Sequence, residues 1–315
     1  MTTYLARRLA TLVATLVAAS VAVFCLLAIL PGKPAQVILG TQATPESVQQ
    51  LTKQLGLDKP LSQQYLDWVH GLLTGRYGNS YISQLPIGHQ IGQALAVTGP
   101  LVLFGLVVGL LVAVPLGVAA ALLRRRAAGP LITAGSQIGI AVPNFIAGLL
   151  LIYVFSVKLG WLPASGFVTW SQDPWQAFKS LVLPGIALGV VEGAVLSRYV
   201  RSAVLDVLRS DYLRTARAKG LTRRQALVRH GFRNGSIPVL TVLGLELPSL
   251  IVGAVVIENV FTLPGVGTLL LQAVDNRDLI VVEDVVMLVA VTVLVVNFLV
   301  DVSYRLLDPR IGHAR

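Results

Sequence analysis

The segment from Leu9 to Gly32 carries no charged side chain and closes on Pro31-Gly32. A bilayer core about 30 Å thick needs roughly 20 apolar helical residues. A charge-free run of that length therefore reads as a membrane span. Further apolar stretches of spanning length run from about Val97 to Leu123, Leu131 to Val157, Leu181 to Leu205, Ile237 to Val260 and Val282 to Leu306. Pro115, Pro143 and Pro248 fall inside them, which membrane helices tolerate because neighbouring groups satisfy the freed backbone. Only 13% of the residues are charged, against about 25% in soluble domains. Such a chain cannot clothe a water-exposed surface. The single cysteine, Cys25, excludes a disulfide scaffold. The fold class is all-α and polytopic, with six transmembrane helices. Arg7-Arg8 before the first run looks like a secretory or twin-arginine signal. The run exceeds a cleaved apolar region of about 7–15 residues, and no A-x-A site follows, so it is expected to remain as an anchor.

Charge orients the spans. The net charge of +10 would suit a nucleic-acid binder, but its distribution points elsewhere. Six spans put both termini on one side. With that side cytoplasmic, eighteen of the 25 Lys and Arg lie inside, ten of them between Arg198 and Arg233. Basic loops mark the cytoplasmic face, so no nucleic acid is needed to explain the excess.

Two loops carry local signals. After the first span, Thr44 is a good helix N-cap, Pro45 suits the first turn and Glu46 suits the positive end of the helix dipole. Val48, Leu51 and Leu55 recur at helical spacing up to Gly56. Pro60 opens a second helix with Tyr65, Leu66, Val69, Leu72 and Leu73 on its apolar face, stopped by Gly75. The pair is expected to form either a small extracytoplasmic cap or a spacer on the membrane surface. On the cytoplasmic side, Asp211 to Leu221 reads as a short helix of small and basic residues ending at Gly220. A second short helix is expected from about Thr222 to Arg233. Small residues let another protein approach the backbone closely, and Gly220 permits a sharp helix-to-helix turn.

On these residues the chain resembles a known family. Arg214-Thr215-Ala216, followed by Gly220, occupies the E-A-A-x-x-x-G position of ABC importer permeases. Pro238 matches the proline that closes that motif. The sequence DYLRTARAKGL (Asp211 to Leu221) with His230-x-x-Arg233-Asn234 is similar to the dipeptide/oligopeptide (and nickel) permease family. So are Tyr4-x-x-Arg7-Arg8-Leu9, Leu30-Pro31-Gly32-x-Pro34-Ala35, Leu55 to Leu61, and the segment Gly253 to Gly267 with Pro264-Gly265. Arg214 replaces the glutamate of the general motif. Lys33 and Arg76 stand where the family often has aspartate.

The resemblance implies a type I ABC importer permease with both termini cytoplasmic, resident in the bacterial inner membrane. Its expected organisation is residues 1–32 as N-terminus and first span, 33–96 as an extracytoplasmic helical segment, and 97–315 as a five-helix core with a coupling loop at 206–236. The implied partners are a second homologous permease, two ATP-binding subunits or a fused pair, an extracytoplasmic solute-binding protein and membrane lipid. The chain holds no G-x-x-x-x-G-K-[ST] phosphate cradle. ATP and Mg are therefore expected on partner subunits, with no cofactor or metal on this chain. Arg214, Thr215, Ala216, Arg217, Ala218, Lys219, Gly220 and Leu221 are the expected ATPase-coupling residues.

Glu192 and Glu246 lie within spans, where ionisable side chains are costly and face an interior or wet cavity. Either they line the cargo path or they are a buried pair bonded to a partner helix. Glu258, Asn259, Pro264, Gly265 and Gly267 form either an outer gate or binding-protein rim, or a tight turn between spans. His70, His89, His230 and His313 are scattered, and neither H-E-x-x-H, paired cysteines nor G-x-S-x-G occurs. Catalysis by this chain is not expected. An ion-coupled secondary transporter is the rival reading. It would need internal repeats and a midplane ion site, and it leaves the Asp211–Gly220 motif without a role. Cargo stays open among dipeptides, oligopeptides, nickel chelates, haem and glutathione.

Overall fold

The computed structural model describes residues 2–29, 34–40 and 43–307. Lys33, the Leu30–Gly32 end of the first run and the basic C-terminal tail with His313 lie outside the described residues. The described chain is built from helices: α1 (Thr2–Ile29), α2 (Pro34–Leu39), α3 (Pro45–Gln54), α4 (Leu61–Thr74), α5 (Ile87–Leu122), α6 (Ala128–Ala141), α7 (Asn144–Leu151), α8 (Pro174–Arg209), α9 (Asp211–Ala218), α10 (Arg223–Ala226), α11 (Phe232–Val260), α12 (Val266–Asp275) and α13 (Leu279–Leu307). Five of them, α1, α5, α8, α11 and α13, are long and apolar enough to span a bilayer. The stretch expected as the third span is a broken pair. α6 ends at Ala141, and α7 with its π-helical extension Ile152–Lys158 departs at 96°. Pro143 explains the break. It cannot donate to the helical ladder, and it drives Val142 to an extended φ −83°, ψ 118°.

Two compact units result, Met1–Val97 with Pro264–Phe298, and Thr98–Leu263 with Leu299–Arg315. The first contains the two helices expected after the first span. Thr44 and Ser47 form a reciprocal cap at the start of α3, with Thr44 Oγ1 accepting from the Ser47 N–H at 3.2 Å. α4 stops where Gly75 turns left-handed at φ 72°. Its Tyr65 hydroxyl meets Ser20 Oγ of α1 at 2.8 Å. Ile87, Ile91 and Ala94 of α5 pack with Val266 and Ala273 of α12 and Val281, Val282 and Val285 of α13 to form this unit's core.

The second unit is organised around α8. Most of its apolar window is buried, although it is the least hydrophobic of the five spans. Glycine makes this possible. A Cβ on Gly193 would lie 2.8 Å from Val112 Cβ, and one on Gly117 of α5 would lie 2.6 Å from Val200 Cβ. α5 and α8 thus approach almost backbone to backbone, as small residues allow between membrane helices. Around that seam, Ala113, Ala121, Leu196, Val200 and Val204 form the core.

Candidate functional site: the Asp211–Leu221 surface and the span carboxylates

α8 ends when Ser210 turns extended at φ −69°, ψ 146°. The next residue starts α9, a helix of two turns. Asp211 sits at its positive end and Arg217 at its negative end, matching the helix dipole. Leu213 and Ala216 face inward and are 1% and 7% exposed. They pack with Val207 and Ala226, beside the half-buried Leu208, Leu221 and Leu227. Tyr212, Arg214, Thr215, Arg217, Ala218 and Lys219 face outward. Of the small residues in this segment, Ala216 turns inward while Thr215 and Ala218 face outward. Ala216 is small because α9 must sit close on its own chain.

Gly220 ends α9 with φ +93° and donates its N–H to Arg217 O at 3.0 Å. Within this chain, a Cβ there would meet nothing within 4 Å. The glycine is therefore required by its backbone conformation, not by crowding from its own fold. Thr222 then caps α10. Its N–H donates to Gln225 Oε1 at 3.0 Å, and its Oγ1 accepts from the Gln225 N–H at 3.3 Å. The second short helix expected over 222–233 is cut short. α10 passes into a π-helical segment, Leu227–Gly231, and α11 begins at Phe232. The basic segment thus feeds directly into the fifth span.

Glu192 lies midway along α8 and is 8% exposed. Its Oε1 is buried without a hydrogen-bond partner among the described residues. Gly109 of α5 lies against it, a Cβ there falling 3.5 Å from Glu192 Cγ, an ordinary van der Waals contact. Glu246 lies on α11, the helix that packs along α8, and is half-buried.

Glu258 is fully buried, and Thr98 Oγ1 donates to its Oε1 at 2.5 Å. Asn259 is exposed, and its carbonyl accepts from the Thr262 N–H at 3.2 Å. Thr262 adopts φ 50° as the chain turns. Pro264 is exposed, while Gly265, immediately before α12, and Gly267 are buried.

Sequence reasoning missed a set of carboxylates at the start of α13. Asp278 is buried and accepts from Ser80 Oγ at 2.5 Å and from the Tyr81 N–H at 3.2 Å. Asp284 is 1% exposed, and its Oδ1 accepts from Trp68 Nε1 at 2.9 Å. Glu283 Oε1 and Asp284 Oδ2 have no hydrogen-bond partner among the described residues. Burial first, and then the carboxylates of Glu283, Asp278 and Asp284, push the Tyr81 phenol up to about 12. The available signal was three carboxylates packed just before a long charge-free run. Arg76 is exposed, with its N–H on Gly71 O at 2.8 Å. His70 and His89 are exposed, and no group of three or more potential ligands that could hold a metal occurs among the described residues.

A long central span, a broken neighbour and an exposed basic helix between two spans define the membrane subunit of an ABC importer. The comparisons agree. Residues 113–313 match the binding-protein-dependent transport system inner membrane component model, and residues 1–94 match the N-terminal model of the same membrane components. The chain belongs to this family of binding-protein-dependent transport permeases. It is 38% identical over 313 residues to the glutathione transport system permease protein GsiC of Salmonella typhimurium, covering 99% of this chain and 100% of the relative. The Escherichia coli protein of the same name is 37% identical over the same span. Among solved structures, the inward-facing MetNI methionine ABC transporter aligns with TM-score 0.52 at 19% identity, over 70% of this chain and 95% of its own. An amino acid ABC transporter with histidines aligns with TM-score 0.51 at 16% identity, over 69% and 93%. The fold is that of a type I importer permease, and the subunit serves import, which sets the secondary-transporter reading aside.

Proposed function

We propose that this permease couples to cytoplasmic ATPase subunits through Arg214–Leu221 and forms half of the path for a small peptide such as glutathione. The observation that carries the coupling reading is α9 itself. It is a short helix fixed by two buried side chains that turns three cationic residues, Arg214, Arg217 and Lys219, away from its own fold. Its seat touches the end of α8 and the start of the α10–α11 segment. Force applied to α9 would therefore reach α8 and α11 together, and with them Glu192 and Glu246, the proposed lining of the path. The peptide reading rests on the 38% identical glutathione permease.

In this reading the termini and residues 206–236 face the cytoplasm, as the basic excess favours. Residues 1–32 form the N-terminus and first span. Residues 33–96 form an extracytoplasmic segment, and residues 97–315 form the core. Glu258, Asn259, Pro264, Gly265 and Gly267 lie at the opposite face, as a gate or a rim for the solute-binding protein. A second permease and two ATP-binding subunits complete the complex, with ATP and Mg held by the latter and no catalysis by this chain.

The test uses the sole cysteine. In a Cys25→Ser background, Lys219→Cys is assembled with its cognate subunits in vesicles that retain ATP-driven uptake, assayed with glutathione and with other small solutes. Lys219→Cys should cross-link to an ATPase subunit and resist an impermeant maleimide added outside intact cells. Labelling from outside, or uptake unchanged by the cross-link, would overturn the coupling assignment. Uptake of another solute with glutathione excluded would overturn the cargo alone.

A further inference from the structure

The first unit holds two adjoining cavities that the import reading leaves unused. One, of about 880 Å³, lies among α1, α2, α3, the start of α4 and the beginning of α13. The other, of about 260 Å³, shares Phe24, Tyr81 and Glu283 with it and adds Trp68 and Asp284. The larger alone has the size of an ordinary small-molecule site. They lie where α1 ends and α13 begins, at the boundary of two spans.

Glu283 and Asp284 both line the smaller cavity. Asp284 is 99% buried, and Trp68 satisfies only one of its oxygens. Its neighbour Glu283 also has an oxygen with no hydrogen-bond partner among the described residues. Two adjacent carboxylates with orphan acceptors call for a cation that brings several donors. The nearby Lys59 is already committed to Asp67 at 2.7 Å. A primary ammonium offers three donors and a compact positive charge. Phe24 and Trp68 both line the smaller cavity, with ring centroids 6.2 Å apart. Such rings attract a desolvated cation through their quadrupoles. Tyr81, held neutral well above physiological pH, keeps an O–H to donate. Lys53 lines the larger cavity and Arg76 the smaller, supplying positive charge for an anionic group on the same ligand.

We propose that this cavity binds a small zwitterion, its primary ammonium seated on Glu283 and Asp284 against Phe24 and Trp68. A free dipeptide and the headgroup of phosphatidylethanolamine both carry that chemistry. The site involves none of the residues of the coupling reading, so either can fail alone.

Trp68 reports on the site directly. The full chain with W161F, W170F and W175F, leaving Trp68 as its sole tryptophan, is placed in phosphatidylcholine nanodiscs and titrated with glycylglycine. N-acetyl-glycylglycine, which lacks the ammonium, serves as comparison. A second set of nanodiscs contains phosphatidylethanolamine. A saturable Trp68 emission change with glycylglycine but not with its acetylated form supports a peptide occupant. A Trp68 shift only in phosphatidylethanolamine discs supports the headgroup. In either case Glu283→Gln should weaken binding by about tenfold or more, as loss of a charge-assisted contact predicts. Asp284→Asn keeps an acceptor for Trp68 and should weaken it likewise, with thermal unfolding confirming that both variants fold. Equal responses to the acetylated dipeptide, unchanged binding in both variants, or no Trp68 response in either arm would overturn the proposal.

Discussion

Gly220 offers a test that separates backbone conformation from partner contact. Its φ of +93° lies in the region that L side chains rarely adopt, and a Cβ there meets no atom of this chain within 4 Å. Gly220→Ala therefore adds no internal clash. Its cost is the left-handed backbone alone, about 1–2 kcal/mol. That corresponds to a shift of roughly 5–30-fold in the local folded-to-open ratio. The amides that close the end of α9 are those of Lys219 on Thr215 O at 3.1 Å, Gly220 on Arg217 O at 3.0 Å and Leu221 on Ala216 O at 3.4 Å. Hydrogen exchange at the Lys219 and Leu221 amides should accelerate by that factor, while amides in the buried middle of α8 stay unchanged. Asparagine tolerates left-handed backbone better than alanine, so Gly220→Asn should show a smaller acceleration. Exchange at Lys219 and Leu221 that is unaffected by Gly220→Ala would refute the conformational account. ATP-driven uptake in the assembled complex then reads the partner's side. Gly220→Asn should nearly preserve uptake if conformation is all that matters. Its loss, without faster exchange, would place a tight contact with the ATPase at this position.

Three further outcomes follow from the packing. Gly117→Val should destabilise the chain by about 1–3 kcal/mol or more, because the first added atom lies 2.6 Å from Val200 Cβ and 2.7 Å from Ser197 O. A lowered thermal unfolding midpoint in detergent checks it. Thr98→Val removes the hydroxyl donating to the fully buried Glu258 and should cost about 1–3 kcal/mol, whereas Thr98→Ser should restore most of it in the same assay. Tyr81 is neutral in the folded chain up to a pKa of about 12, against 10.0 unfolded. Folding holds its proton more tightly, so stability is unaffected below about pH 10 and falls as pH rises from there to about 12. Denaturant titrations should show that Tyr81→Phe lacks this part of the alkaline decline.

The spans and the α9 segment were legible in the sequence because each depends on local pattern. The run from Leu9 is too apolar and too long to be anything else. Thr44-Pro45-Glu46 and Gly75 announce the ends of their helices by cap chemistry that acts within one turn. The Asp211–Gly220 motif carries its own start and stop. Pro143 was visible too, but tolerated and broken spans share the same proline signal. Only the packing around it selects a 96° bend. The burial of Glu192 could not be read, because it depends on which helices pack against α8, through tertiary contacts with no fixed spacing. Trp68 and Asp284 meet across 216 positions of chain for the same reason.

The sequence by itself determined that this chain lies in a membrane, how many apolar stretches it offers, which face its basic charge favours and where a short basic helix interrupts them. These follow from hydropathy, charge and turn chemistry, which act over a few residues. Tertiary structure alone decided that Ala216 turns inward, that Glu258 is buried on Thr98, and that orphan carboxylates of α13 face a cavity lined by Phe24 and Trp68. Those are properties of distance and burial between segments far apart in the chain, and they exist only once the helices have packed.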